Sequence, residues 1–228
     1  MGTRTVTARS SAYRDETRIM TLFEQLLIQL PPLLLALTLH EYAHGYIAYR
    51  FGDPTALQAG RLSLNPLKHL DPLGTIAFFF IKIGWAKPVP VNAAYFRNPR
   101  RDMLWVALAG PLTNLLLAML SALLLRLVLA GGALLPDLPL IQAVFVPFSL
   151  MLVTSVWINL VLCIFNFLPI PPLDGGRIMT GLLPQEMAAR FASVERYGFI
   201  LILVLAFTGV LSAVILPVIR FTNNLLLT

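Results

Sequence analysis

The chain has 228 residues, of which 57% are hydrophobic and only 12% are charged, about half the charged share of roughly 25% that soluble domains carry. This composition excludes a soluble globular protein, which needs more polar side chains to cover its surface, and it excludes intrinsic disorder, which requires low hydrophobicity. A single cysteine excludes a disulfide scaffold, and the net charge of +6 comes from Lys and Arg scattered beside apolar runs, without the dense basic stripe typical of nucleic-acid binding.

The first 19 residues form a polar leader that contains several arginines, and we expect it to be flexible. It lacks the features of a signal peptide, because no small-residue cleavage site follows a short apolar core. Residues 20–228 show no internal repeat and no low-complexity segment, so we expect them to form a single membrane domain.

Four apolar stretches are long enough to cross a hydrocarbon core of about 30 Å as helices: Leu22–Tyr49, Met103–Ala130, Ile141–Leu168 and Gly198–Ile219. A fifth stretch, Leu73–Ile81, is too short to cross, and we expect it to be re-entrant or interfacial. Around it, residues 53–98 are rich in Gly, Pro and β-forming residues, which predicts short strands or loops at the membrane edge. The predicted fold is therefore an all-α polytopic membrane protein with about four transmembrane helices, one short apolar segment and small membrane-edge β-strands.

The first span contains an H-E-x-x-H motif, His40-Glu41-Tyr42-Ala43-His44. Side chains four residues apart lie on one helix face, so both imidazoles can reach one metal ion, while Glu41 is rotated enough to hold a water molecule. The alternative is a chance match with both histidines satisfied by hydrogen bonds. Ionisable groups inside a membrane span are costly and usually functional, which favours the metal site.

A catalytic zinc ion takes three protein ligands, so two imidazoles require a carboxylate from elsewhere in the chain. The candidates in or beside the spans are Glu24, Asp71, Asp102, Asp137, Asp174, Glu186 and Glu195. Asp174 stands out because it follows the third span after the rigid run Pro169–Pro172, whose extended backbone can direct a carboxylate back toward the helices. Taken alone, Asp174 is more typical of an N-cap for a short helix at 175–183. Only its combination with the two histidines favours a metal ligand.

Residues 166–175, with the sequence NFLPIPPLDG, resemble the N-x-x-P-x-P-x-L-D-G signature of the site-2 protease family of intramembrane zinc metalloproteases. The H-E-x-x-H motif lies about 130 residues upstream, as it does in that family. Three further phrases resemble its compact bacterial branch, which lacks a PDZ domain: GRLSLNP at 60–66, GWAKPVPVN at 84–92 and AGPLTN at 109–114. The resemblance covers the chain from about Met20 to Leu216.

This resemblance implies that one Zn²⁺ per chain is bound by His40, His44 and Asp174. It implies that Glu41 is the catalytic base and that Asn166 supports the reaction, where its alternative role is to cap a helix end. The implied activity is cleavage of a single-pass membrane protein in the lipid bilayer, as in regulated intramembrane proteolysis.

The orientation of the spans follows from the Lys and Arg residues in the connecting segments. One side of the four-span arrangement carries most of them: Arg50, Arg61, Lys68, Lys82, Lys87, Arg97, Arg100, Arg101, Arg177, Arg190 and Arg196. This side is therefore predicted to be cytosolic, in a prokaryotic plasma membrane, with the active site toward the cytosol.

A metal-ion transporter or channel with a His and Asp site is the alternative function. Transporters usually show repeated halves and ionisable residues spaced along a conduit, and this sequence shows neither. A zinc endopeptidase with a membrane-protein substrate and no nucleic-acid partner is the favoured interpretation.

Overall fold

A computed structural model of the chain describes residues 22–81, 84–132 and 138–227, so the predicted leader at 1–19 lies outside the described residues. The described parts are mostly helical. The helices are α1 (Leu22–Arg50), α2 (Thr55–Gln58), α3 (Pro72–Ile81), α4 (Pro99–Gly132), α5 (Pro139–Asn166), α6 (Asp174–Leu182), α7 (Gln185–Ala192), α8 (Glu195–Phe207) and α9 (Val210–Leu227). Short 3₁₀ turns lie at Pro66–Lys68 and Ala93–Tyr95.

Four of these helices, α1, α4, α5 and α9, are long and apolar enough to cross a membrane. Their outward faces carry large apolar side chains that no other part of the described chain covers, such as Leu116, Leu127 and Phe148. Lipid is the solvent that such surfaces require. The expectation of a multi-pass membrane protein with about four spanning helices is confirmed.

The predicted bounds of the fourth span, Gly198–Ile219, are wrong. The helix stops at Phe207 and a new one begins at Val210. Between them, Gly209 adopts a φ of +77°, in the left-handed region that a helix end reserves for glycine. The fourth spanning helix is therefore α9, which begins after this break and continues to Leu227.

The small β-strands expected in residues 53–98 are not seen in the described residues, which contain no sheet. An isolated antiparallel bridge joins Leu70 to Ala86, and residues 84–92 run as an extended segment without a partner strand of any length. The prolines at 88 and 90 explain this, because a proline has no N–H to give to a ladder. The short apolar stretch forms α3, whose ten residues are too few to cross a bilayer.

The centre of the bundle is formed by α1, α4 and α5, which all pack against one another. Small and branched side chains of α4, α5 and α9 make the main apolar core: Ala118, Ala122, Val156, Leu160, Ile215 and Ile219. The short helix α6 packs on α4. Because of this contact, α6 begins close to the place where α1 packs against α4.

Candidate metal centre

Three buried side chains from distant parts of the chain converge between α1 and α6. The Nε2 atoms of His40 and His44 lie 3.1 Å apart, and the Oδ2 atom of Asp174 lies 3.2 Å from each of them. The ligand atoms of this group all lie within 4.8 Å of one another, so they can hold a metal ion. The structure thus brings together the three residues that the sequence predicts as ligands.

The remaining nitrogen of each imidazole is engaged by α4. The Nδ1 of His40 lies 2.5 Å from the side-chain oxygen of Asn114, and the Nδ1 of His44 lies 2.7 Å from the backbone oxygen of Val106. Both partners are acceptors, so each Nδ1 must carry the proton. The two Nε2 atoms then present lone pairs, which is the tautomer that a metal ligand requires.

This donor set fits a cation. When both imidazoles are neutral, the two Nε2 lone pairs and the buried Asp174 Oδ2 face each other at about hydrogen-bond distance with no proton between them. Three electron-rich atoms so close together repel one another unless a positive ion joins them. Their spacing is close to the ~3.3 Å that tetrahedral zinc bonds of about 2.0–2.1 Å impose on neighbouring ligands.

The carboxylate of Asp174 is held in its ionised form. Burial alone would raise its pKa, but without a metal ion a proton on the adjacent His44 or His40 ring takes the place of the cation, and its positive charge and hydrogen bond lower the pKa of Asp174 well below the ordinary value. Asp174 is the first residue of α6, and its helix receives no side-chain cap. Asp174 is therefore not the N-cap of this helix, which is the role that its sequence context alone predicts.

Gly110 allows α4 to approach the two imidazoles. On α4, Val106, Gly110 and Asn114 follow one another at intervals of four residues and so share one face. A Cβ atom on Gly110 would overlap His44 Nε2 and lie 2.6 Å from His40 Nε2. A side chain of any size at this position would clash with both imidazoles.

Glu41 lies beside the three ligands and is half-buried. Its Oε2 accepts a hydrogen bond of 2.9 Å from the backbone N–H of Val89, in the extended segment 84–92. Because a carboxylate has a second oxygen, this contact orients Glu41 and leaves Oε1 available for another partner.

The extended segment 84–92 is fastened to the rest of the structure on both sides of Val89. The backbone of Lys87 donates to His69 O at 2.9 Å and accepts from Arg61 Nη2 at 2.6 Å. Asn92 donates its backbone N–H to the fully buried Asp53 at 2.7 Å. These contacts fix the position of the N–H group that reaches Glu41.

Asn166 ends α5 and does not join the ligand group. One N–H of its side-chain amide donates to Leu162 O at 2.9 Å, on its own helix. An amide NH₂ group has a second donor, which this contact leaves unused.

The sequence predicts the three residues that the structure brings together, but it does not predict the groups that orient them. The phrases AGPLTN and GWAKPVPVN resemble the family, but the sequence predicts only a bend and a hydrogen bond across helices for Gly110 and Asn114, and no contact with a metal ligand for either of them or for Val89. One usable signal was present: the four-residue spacing of positions 106, 110 and 114 on a helix, with a glycine in the middle, indicates a close approach to another element.

Comparisons with known proteins agree with this geometry. Residues 137–210 match the sequence profile described as Peptidase family M50. The chain is 45% identical over 192 residues to "Putative zinc metalloprotease YwhC" of Bacillus subtilis strain 168, covering 82% of this chain and 84% of that protein. It is 30% identical over 188 residues to "Putative zinc metalloprotease Rip2" of Mycolicibacterium smegmatis, covering 78% of this chain and 66% of that protein. No solved structure is significantly similar to the chain.

Proposed function

The chain belongs to peptidase family M50 and is a zinc metalloprotease, and on this premise we propose that it is an intramembrane endopeptidase that cuts a single-pass membrane protein near the cytosolic face. The observation that carries the proposal is the convergence of His40, His44 and Asp174, with Glu41 beside them, between helices long enough to span a membrane. A site between membrane-spanning helices is more accessible to a substrate in the membrane than to a soluble one.

We assign the metal ligands as His40 Nε2, His44 Nε2 and Asp174 Oδ2. Bound zinc supplies Lewis acidity, which lowers the pKa of water toward about 7 and polarises the carbonyl of a scissile peptide. The hydrogen bonds from the two Nδ1 atoms to Asn114 and Val106 hold the rings in the orientation that this ligation needs.

Glu41 is the general base in this proposal. Its free oxygen accepts a proton from the attacking water as the water oxygen bonds to the peptide carbonyl carbon. When the carbon–nitrogen bond breaks, Glu41 returns that proton to the leaving amine. The Val89 N–H bond to Oε2 keeps the carboxylate pointing at the reacting atoms throughout.

Access to the site is consistent with a cytosolic-side reaction. His40 lies ten residues before the end of α1 at Arg50, a depth of about 15 Å at the α-helical rise of 1.5 Å per residue. The excess of Lys and Arg on the side of Arg50 supports its cytosolic placement. Water and an unwound substrate segment have a short way to reach the ligands from that side.

Substituting Glu41 tests the proposed function. Glu41→Gln keeps the acceptor for the Val89 N–H but cannot take a proton, so zinc content should stay near that of the wild type. Cleavage of a transmembrane substrate should fall by about 10²- to 10⁴-fold, the usual worth of general acid–base catalysis. Zinc is measured by elemental analysis and cleavage in the same detergent-purified preparation.

Two results would contradict this assignment. Substantial cleavage by Glu41→Gln would show that Glu41 is not the base. A metal transporter would be indicated if Glu41→Gln lost both its zinc and its metal flux and if neither the wild type nor the variant cleaved the substrate.

We assign Asn166 a supporting role, in which its unused amide N–H donates to the developing oxyanion of the scissile carbonyl. Asn166→Ala should lower kcat by about 10²- to 10³-fold, the usual cost of removing one oxyanion donor, while zinc content and KM change little. Asn166→Asp, which has no N–H to donate, should behave like Ala. If both variants retain full kcat, Asn166 has no role in the reaction and only caps the end of α5.

A further inference from the structure

A second site of a different character lies next to the segment that holds Glu41. A cavity of about 360 Å³ opens between the end of α2, the 3₁₀ turn at 66–68 and residue 87, and three basic side chains, Arg61, Lys68 and Lys87, line it. Its other walls include the apolar side chains of Leu67 and Leu70.

The positive charge of this cavity is not balanced within the described part of the chain. Lys68 Nζ and Arg61 Nη2 donate to the backbone oxygens of Gly60 and Lys87, and no carboxylate there forms an ion pair with any of the three cations. The nearest acidic residue along the chain, Asp71, uses its Oδ1 to accept from Gly74 N at the start of α3.

Arg61 is the strongest indication of a ligand. The residue is only 9% exposed, and its Nε is buried with no hydrogen-bond partner. Burying a guanidinium without an anion is costly, and an unused donor adds to that cost. An anion in the cavity would supply the negative charge that the Arg61 guanidinium lacks.

We propose that this cavity binds the phosphate group of an anionic ligand. Arg is suited to phosphate by its planar set of donors, and two lysines beside it add point charges. The surroundings favour a phospholipid headgroup as the source, because Leu64, Leu67 and Leu73 near the cavity are 63%, 74% and 70% exposed. Apolar side chains beside a basic pocket are typical of a membrane edge that binds anionic headgroups.

Occupation of the cavity acts on the proposed active site through a short path. Arg61 donates a hydrogen bond to the backbone carbonyl of Lys87. Lys87 is two residues from Val89, whose backbone N–H donates to Glu41. A phosphate that fixes Arg61 and Lys87 therefore stabilises the extended segment 84–92 in the position that orients the base. This step rests on the proposed function, whereas binding to the cavity does not.

Binding is tested first, on the zinc-loaded full chain, by native mass spectrometry with phosphatidylglycerol, with phosphatidylcholine and with inorganic phosphate as probes. The wild type should retain phosphatidylglycerol in preference to phosphatidylcholine. The double variant Lys68→Gln/Lys87→Gln changes two exposed side chains and should bind phosphatidylglycerol about fivefold more weakly for each lysine removed. Its zinc content should not change.

The matched control is Arg97→Gln, which removes one exposed positive charge from the same side of the protein outside the cavity. It should bind phosphatidylglycerol as the wild type does. Equal binding by the double variant and the wild type would overturn the proposal, as would an equal loss in Arg97→Gln, which would indicate general surface charge. Retention of inorganic phosphate without phosphatidylglycerol would identify a free phosphate as the source.

The coupling is tested second, by cleavage in nanodiscs of phosphatidylcholine with and without phosphatidylglycerol. The anionic lipid should raise the activity of the wild type and of Arg97→Gln but not of the double variant. If lipid binding depends on the two lysines and no variant cleaves any substrate, the phosphate site stands and the proposed protease function fails. Equal activation of all three proteins would overturn the coupling.

Discussion

At the scale of single residues, the metal centre continues into a chain of buried polar side chains. Asn114 accepts from His40 and donates to Asn159 at 2.9 Å, and Asn159 donates to Ser155, whose hydroxyl meets that of Ser121 at 2.8 Å. Such groups are tolerated inside an apolar bundle because each finds a partner there. The network ties α1, α4 and α5 together at the depth of the metal.

Gly110→Ala is expected to abolish zinc binding. In the interior of a helix alanine is favoured over glycine by about 1 kcal/mol, so α4 should remain intact and inserted. The new Cβ would nevertheless overlap the Nε2 atom of His44. Elemental analysis of the purified variant should find little zinc.

Gly131→Ala provides the matched control in the same helix, because a Cβ there meets nothing within 4 Å. It should bind zinc as the wild type does. Full zinc content in Gly110→Ala would show that α4 can move away from the imidazoles at little cost.

The candidate ligands could be predicted from the sequence, whereas the groups that orient them could not, for a physical reason. H-E-x-x-H places its two histidines on one face through local helix geometry alone. Asn114 reaches His40 only because α4 packs on α1, and that packing involves residues 74 positions apart. A local pattern has no information about such a pair, so the sequence does not show that Asn114 contacts His40.

At the scale of elements, the extended segment 84–92 joins Glu41, the proposed base, to the rest of the fold. Its contribution to Glu41 is a backbone N–H, which does not depend on the side chain at position 89. Proline is the one residue that removes this donor. Pro88 and Pro90 already hold the neighbouring backbone extended, so a third proline is compatible with it.

Val89→Pro is therefore expected to lower kcat by about 10- to 100-fold, the range that a hydrogen bond to a charged group is worth. Zinc content and KM should change little. Val89→Ala keeps the N–H and loses only the packing of a side chain that is 7% exposed. If the two variants lose the same activity, the N–H is unimportant and the segment acts through packing alone.

Hydropathy predicted the number of spanning helices but not the break between α8 and α9. Thr208 and Gly209 interrupt an apolar run too briefly to change its average, although Gly209 reverses the sign of φ and ends the helix. Strand-forming residues in 53–98 were similarly misleading, because β-propensity describes side chains and says nothing about a missing partner strand.

At the scale of the whole molecule, the positive charges predict which end of the bundle faces the cytosol. In a Cys163→Ala background, a cysteine in place of Asn98 should be protected from a membrane-impermeant thiol reagent added outside intact cells. A cysteine in place of Leu138, at the start of α5, should react with it. The reverse pattern would invert the proposed topology and move the active site to the outer face.

The distance along the chain between His44 and Asp174 has a consequence for biosynthesis. About 130 residues separate them, which the ribosome needs roughly 7–26 s to add at about 5–20 residues per second. During that interval α1 has been synthesised with two of the proposed ligands and the proposed base. Until Asp174 has been added, the nascent chain has only two of its three proposed ligands, so we expect it to lack a complete metal site.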